Sequence, residues 1–460
     1  MPLDRRRFLI ASGVTGGLAA ATGAGVLGYR ELRQTAADDP LAGGGVLVVV
    51  TLYGGNDGLN TVIPAGDPAY RAARPELGYS ADEALPLTDG LALHPALAGL
   101  RAHWDDGRLA IVRGVGYPRP DHSHFRSMAI WQTAAPDTAS TTGWLGRWLD
   151  AQPAADARAG ALRAISVGPT LAPLVVGERT AAAAVPTGTF QAPGGELGEQ
   201  LRALYRPDPA DGPLAARAAS SGADLFAVAD VLGPVLAGRS DAEQAPAGEL
   251  DAGGEAESGG QDDTGGRDGT GGRDGTGGRD GTGAPAGAAT RPPGQAATAA
   301  GGDLGAQLDV VAACIRAGVP ARVYAVSLGG FDTHTQEKAT HARLLGQLDA
   351  ALTRFQAAVA DDPHGAAVTT LVYSEFGRRV AANASGGTDH GTAGPVLVLG
   401  TRVAGGFHGN PPSLTDLDDG DLKVTTDFRS VYATVLERCL GTEAGVVLGT
   451  RERFDRLAFL

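Results

Sequence analysis

Gly330-Phe331-Asp332-Thr333-His334 sets a carboxylate two residues from an imidazole. Asp121-His122-Ser123-His124 sets a hydroxyl between two imidazoles, and Thr388-Asp389-His390-Gly391 joins a carboxylate directly to an imidazole. Asp57, in Gly54-Gly55-Asn56-Asp57-Gly58, and Glu375, in Ser374-Glu375-Phe376, add two further carboxylates. Carboxylate oxygen and imidazole nitrogen together suit a hard-to-borderline divalent ion such as Zn, Mn, Mg or Ca. A serine beside such an ion acquires the character of a nucleophile, because the metal lowers the pKa of its hydroxyl.

Each of these residues also has a structural reading. Asp57 and Asp332 can cap helices or close Asx turns. Glu375 can pair with Arg378 or Arg379. Ser123, where a helix begins, can be an N-cap, although the same position aims backbone N–H groups at an anion. Arg126, one turn on, is placed to clamp an oxyanion; Ser127 is the reserve nucleophile; His122 and His124 are candidates for proton transfer or for binding ester oxygens. Asp389 is either a ligand or the group that orients His390. His94, His103, His341, His364 and His408 read as structural or exposed.

The elements that must position these groups follow from patterning. GGVLVVVTLYGG (44–55) is a continuous β-branched run ending in glycines, the signature of a strand covered on both faces. Strands are also expected at 109–116, 161–168, 322–328, 368–373 and 395–399. Helices are expected at 94–104, 123–133, 197–205, 223–237, 304–317, 341–359 and 428–440. Strands alternating with helices predict an α/β fold with a mainly parallel central sheet and helices on both faces. Such sheets bind ligands beyond the carboxyl ends of their strands, and the candidate residues follow strand ends: Asp57, the 121–124 stretch, Asp332 with His334, and Glu375.

Composition narrows the rest. A 460-residue chain of net charge -14 lacks the basic face that nucleic acid requires. Cys314 and Cys439 lie in separate apolar helical segments and read as buried free thiols. Arg5-Arg6-Arg7-Phe8-Leu9 followed by the Ala/Gly/Val/Leu stretch 10–27 reads as a twin-arginine export signal, so residues 1–40 are expected to be a leader. The expected partners are therefore the twin-arginine export machinery and an ester substrate, small or polymeric, with membrane contact only through an uncleaved leader; no later segment looks able to cross a bilayer. The expected location is extracytoplasmic. Residues 240–302 are Gly/Asp-rich and contain TGGRDG three times in tandem (264–281). With no apolar residue in the repeat to bury, this stretch is expected to be a disordered insertion in a single domain spanning 41–460.

LYGGNDGLNTVIP (52–64), HPALAGL (94–100), LAIVRGVGYP (109–118), SHFRSMAIWQTA (123–134), GWLGRWLD (143–150), GFDTH (330–334), YSEFGRRVAANASGGTDHGTAGPVLVLG (373–400) and TDFRSVYATVL (426–436) together resemble the exported bacterial domain-of-unknown-function family fifteen-oh-one, related to the alkaline phosphatases and sulfatases. The resemblance implies an alkaline-phosphatase-like fold and one or two divalent ions. One ion would lie among Asp332, His334 and His390, and a second, oxygen-rich site would use Asp57, Glu375 and the Ser123 hydroxyl. Where many superfamily members have Asp-His, this chain has Glu375-Phe376, so the second site lacks an imidazole. The function implied is an exported metal-dependent hydrolase of phosphate or sulfate esters with Ser123 as nucleophile. The alternatives are a non-catalytic binding or scaffold protein that keeps the fold, and a phosphotransferase or mutase.

Overall fold

The computed structural model describes residues 44–153, 160, 162–206, 208–244, 302–449 and 453–460. The expected leader and the TGGRDG repeat lie outside these residues. Val46–Leu52, apolar apart from Thr51, forms strand β1 and is buried at every position. The other strands of the main sheet are β2 (Leu109–Gly116), β3 (Ala164–Val167), β4 (Ala183–Val185), β5 (Val323–Leu328), β6 (Val368–Ser374), β7 (Gly394–Leu399), β8 (Gly406–His408) and β9 (Thr426–Asp427). They lie in the order β8-β2-β7-β6-β1-β5-β3-β4, with β9 beside β8 along β2. β1 pairs in parallel with β5 and β6, β3 with β5 and β4, and β2 with β8 and β9. β7 is the exception, antiparallel to both β6 and β2.

The helices used below are α1 (Ala98–Asp105), α2 (His124–Thr133), α3 (Trp144–Ala151), α4 (Gly195–Leu204), α5 (Pro213–Gln244), α6 (Leu304–Arg316), α7 (Glu337–Ala360) and α8 (Phe428–Arg438). The two-residue period of β1 divides its side chains between two cores. Val46, Val48, Val50 and Leu52 meet Leu100 of α1, Leu308 of α6 and Leu344 and Leu348 of α7. Leu47 and Val49 face the other way, toward Met128 of α2, Trp144 of α3 and Phe428 and Tyr432 of α8. Helices therefore cover both faces, and each fully buried valine or leucine contributes about 1.5–3 kcal/mol.

Helix α3 and strands β4, β8 and β9 are not among the expected elements, and four further elements depart from the sequence expectation. β7 has the apolar run of a buried strand, and such a run carries no information about direction. α1 begins at Ala98 instead of His94, because His94 is buried with its Nδ1 accepting the Ala96 amide and its Nε2 bonded to Tyr79. α7 starts at Glu337, four residues early, where the Glu337 amide donates to Gly386 O. α5 continues to Gln244, into the expected insertion. Its segment Leu214–Gly238 is also long and apolar enough to cross a membrane. Val228, Val231, Leu232 and Leu236 of that segment pack into the core with α6, which is how a core helix passes the same length-and-composition test. Both cysteines are buried and outside any disulfide.

Candidate metal centre

The reversed direction of β7 positions the site. Residues that follow β1, β2, β5 and β6 leave the sheet at one edge. A strand running the other way starts at that edge, so the chain entering β7 brings Asp389 and His390 to the same place. His124, the first residue of α2, completes the group after β2.

Four side chains converge. Asp332 Oδ1 lies 3.0 Å from His334 Nε2, 3.2 Å from His390 Nε2 and 3.4 Å from His124 Nε2. The two nitrogens of His334 and His390 are 2.9 Å apart. Donor atoms of His124, Asp332 and His390 all fall within 4.8 Å of one another. The family resemblance brought Asp332, His334 and His390 together; the sequence reading gave His124 a role in proton transfer or in binding ester oxygens, whereas the structure turns its Nε2 toward Asp332.

The far side of each imidazole fixes which nitrogen faces inward. His124 Nδ1–H donates to Glu375 Oε1 at 2.8 Å. His390 Nδ1–H donates to the His122 carbonyl at 2.7 Å. His334 Nδ1 lies 3.4 Å from Asp389 Oδ1. An imidazole that donates from Nδ1 presents its Nε2 lone pair, and this outer-partner arrangement is the one that orients metal-ligating histidines. Asp389 thus stands behind His334, not His390. The Phe376 ring lies 4.9 Å, centroid to centroid, from both His124 and His390. The apolar residue that replaces the expected imidazole therefore walls the two histidines in place.

Arg378 ties the loops together. Fully buried, it donates to Gly55 O at 2.7 Å, Thr388 O at 3.0 Å, Phe331 O at 2.9 Å and Gly54 O, and its Nη2 lies 2.9 Å from Asp332 Oδ1. Partial burial disfavours the charged form of Asp332, but the neighbouring His124 and His390 imidazoles and the Arg378 guanidinium override it and hold the carboxyl well below its usual range. Burial likewise works against charge on His124, yet the Asp332 and Glu375 carboxylates beside it prevail and raise it to about 9; the proton so held is one that a bound ion would displace. Gly54, at φ +118, lies against this loop: a Cβ there would stand 2.4 Å from the Asp332 amide nitrogen. Its own N–H donates to Glu375 Oε1 at 2.9 Å.

The oxygen-rich second site does not assemble. Asp57 is fully buried, caps the short helix Gly58–Thr61 through the Leu59 amide and forms a 2.5 Å ion pair with Arg74. Glu375 is committed to His124, Gly54 and Ser374. Ser123 is exposed as the N-cap of α2, accepting the Arg126 amide at 3.5 Å, and Arg126 is exposed as well. Ser127 is buried, bonded to Tyr117 and the Asp121 carbonyl, so its hydroxyl is structural. His122 Nε2 lies 2.8 Å from buried Asp421 Oδ2.

Sequence reasoning missed Asp421, Arg74 and Glu337. Asp57, Arg74 and Glu337 form a buried group under the site: Arg74 also holds Val380 O and Arg379 O, and Glu337 Oε2 accepts from Thr388 Oγ1 at 2.6 Å. Burial, then the charge of Asp57, pushes Glu337 up to about 9, so it carries the proton it shares with Asp57. Arg74, Glu337 and Asp421 lie in none of the motifs. Their only sequence signal is that ionisable residues fall within otherwise ordinary helical and loop stretches.

The residues fit a divalent ion. His124 Nε2 is buried and has no hydrogen bond of good geometry, which is unfavourable for a polar atom unless something else occupies it. Ligand bonds of 2.0–2.1 Å in a tetrahedron put donors roughly 3.3 Å apart, and the spacings from Asp332 to His124 and His390 are 3.4 and 3.2 Å.

Sheet and cluster together define a mixed α/β protein, mainly parallel in its central sheet, with a candidate His/Asp/His metal site at one edge. The model of a family described as "Protein of unknown function (DUF1501)" matches residues 287–444, the part of the chain that carries Asp332, His334, Glu375, Asp389 and His390. No curated protein matches the chain. Two crystal structures of the C-terminal periplasmic domain of EcEptC from Escherichia coli are remotely similar. The one in complex with Zn is 10% identical, with 86% of this chain and 82% of that one covered and a TM-score of 0.32. The other is 11% identical, with 90% and 89% covered and a TM-score of 0.30. Likeness at this level carries no functional assignment.

Proposed function

We propose that this protein is an exported, metal-dependent hydrolase of phosphate or sulfate esters, built on an alkaline-phosphatase-like fold. The observation that carries the reading is the convergence of three imidazole Nε2 atoms on Asp332 Oδ1, with each imidazole oriented from behind. His124, Asp332 and His390 would hold one ion, with His334 beside Asp332 and His390. Two nitrogens and one oxygen favour zinc over magnesium or calcium. A divalent ion here supplies positive charge to the ester oxygens as negative charge develops on them.

The chain's own residues do the rest. Glu375 and the His122 carbonyl fix the imidazoles, and Arg378 keeps Asp332 ionised. Ser123 is the assigned nucleophile. Its hydroxyl is open to solvent, its cap contact at 3.5 Å is weak and readily given up, and the first turn of α2 offers backbone N–H groups to an anion. Ser123 Oγ bonds to phosphorus or sulfur as the ester P–O or S–O bond breaks. The hydroxyl proton passes to His122, which Asp421 orients, and on to the departing alcohol. Water then cleaves the seryl ester, which releases phosphate or sulfate and restores the serine. The N-terminal Arg5-Arg6-Arg7-Phe8-Leu9 supports export before the protein acts.

The test is to load purified protein separately with Zn, Mn, Mg and Ca, measure bound metal by mass spectrometry, and assay aryl phosphate monoesters, diesters and sulfates. Turnover with about one bound ion per chain is expected. A folded, metal-loaded protein that turns over none of them rejects catalysis. It would favour the second reading, a metal-holding binding protein, for which the supporting observation is Asp57 locked to Arg74 in place of a second metal site.

A further inference from the structure

Beside the cluster, sharing His124, Glu375 and Gly54 with it, is a cavity of about 370 Å³. One wall is the first turns of α2, with Phe125, Met128 and Ala129; the opposite wall is the loop after β3, from Gly168 to Leu174. The floor comes from Thr51 of β1 and from Ala325 to Ser327 of β5. Among the described residues, no lysine or arginine lines it. Apart from His124 and Glu375, already engaged with each other, its polar side chains are hydroxyl-bearing ones and Gln132, whose amide is bonded to Tyr53. Phe125 at the rim is 55% exposed, a large apolar side chain with little to cover it on a molecule that buries Phe331, Phe376 and Phe428.

We propose that this cavity receives an uncharged aromatic ring carried on the ester oxygen, which makes aryl esters the substrate class. The assignment rests on reading the cluster as an ester-hydrolysing centre. A second phosphate would bring in charge that these walls do not match, and leaving such a group unpaired is strongly unfavourable. A ring instead meets the Phe125 face and the Met128 thioether, both favourable partners for an aromatic group. Size agrees: an apolar cavity of roughly 150 Å³ holds benzene, so 370 Å³ accommodates one ring or two fused rings. The imidazole of His124 is the shared wall, with Nδ1 bonded to Glu375 and Nε2 facing the metal ligands. A ring in the cavity therefore holds its attached ester group at the cluster's border.

Aryl esters are intrinsically more reactive than alkyl ones, so the test uses inert analogues. Full-length, zinc-loaded protein is titrated calorimetrically with phenylphosphonate and methylphosphonate, and with benzenesulfonate and methanesulfonate. Burying roughly 80 Å² of ring surface is worth about 30-fold in affinity, and that is the aryl preference expected. Ala129→Trp and Thr170→Trp each fill the cavity from an exposed position on opposite walls, and each is expected to reduce the preference to about threefold or less with metal stoichiometry retained. The same wild-type affinity for ring and methyl compounds overturns the proposal and leaves ester hydrolysis standing. A ring preference that both tryptophan variants retain also overturns it, as does a failure of all four compounds to bind. If the preference is present and both variants lose it, yet no ester is turned over, the ring site stands and the hydrolase reading falls.

Discussion

Arg378 Nη2 lies 2.9 Å from Asp332 Oδ1, and the same buried guanidinium holds carbonyls from the loops after β1 and β5 and from the segment before β7. One cation thus closes three strand-edge loops around the carboxylate at the centre of the cluster. Replacing it with methionine leaves buried acceptors without a partner. The expected loss is about 3–5 kcal/mol of unfolding free energy, measured by urea denaturation. Arg378→Lys should not restore it, because a single ammonium cannot reproduce the planar fork. A lysine variant as stable as the wild type would show that charge alone suffices.

Ligand and supporting residues should separate by magnitude. Asp332→Ala and His390→Ala are expected to abolish retention of zinc at equimolar protein and metal. Glu375→Gln, which touches the cluster only through His124, should weaken affinity about 10- to 100-fold. Competition with a chromogenic chelator gives these values. Equal losses for Glu375 and the inner residues would contradict the arrangement.

Ser123→Ala removes a long cap contact and an exposed hydroxyl, so its stability effect should be about 1 kcal/mol or less. Turnover should nevertheless fall about 1000-fold or more if the hydroxyl attacks the ester. Thermal melting and steady-state assays on one preparation separate the two effects. Undiminished turnover would remove Ser123 from the mechanism and leave it as a cap.

Glu337 gives a pH signature. Its folded value of about 9 lies above the ordinary 4.5, so the native state keeps a proton that the unfolded chain releases. The stabilising contribution is complete below about pH 4.5 and is lost as pH rises toward 9. Glu337→Gln, which can still donate toward Asp57, should lack this decline. The difference in slope should approach about 1.4 kcal/mol per pH unit between pH 6 and 8.5, by urea denaturation. Parallel curves for wild type and variant would show that Glu337 is ionised in the fold.

His341 makes the opposite prediction at acid pH. Buried and neutral, with Nε2–H donating to Asn56, it is held down to about 4, chiefly by burial. The unfolded chain binds its proton first, so stability should fall as pH drops from 6.5 toward 4, and His341→Gln should flatten that fall in a thermal-melting series. An unchanged acid limb in the variant would assign the loss to other groups.

Much of the fold was legible because burial on both faces leaves a plain trace. VLVVVTL at 46–52 has no polar face to present to water, and Ser123 before His124 marks a helix start that the structure reproduces. Within the site, Asp332, His334 and His390 were recognisable as ligand types on glycine-flanked loops. The inward turn of His124 was not, since proton transfer and ligation ask for the same side chain, and only the bond to Glu375 decides which nitrogen is free. The pairing of Asp57 with Arg74 was equally hidden, because a capping aspartate and a metal-binding one look the same along the chain.

By itself, then, the sequence determined the layered α/β architecture and the stock of donor groups, because local patterning decides which segments must be buried and which residue types are present. Tertiary structure alone decided which donors meet. The direction of β7 brings His390 to the edge where Asp332 and His124 emerge, and the partners Arg74, Arg378 and Glu375 commit each carboxylate to one role. Strand direction and tertiary pairing depend on contacts between residues 17 to 251 positions apart, which no local pattern records.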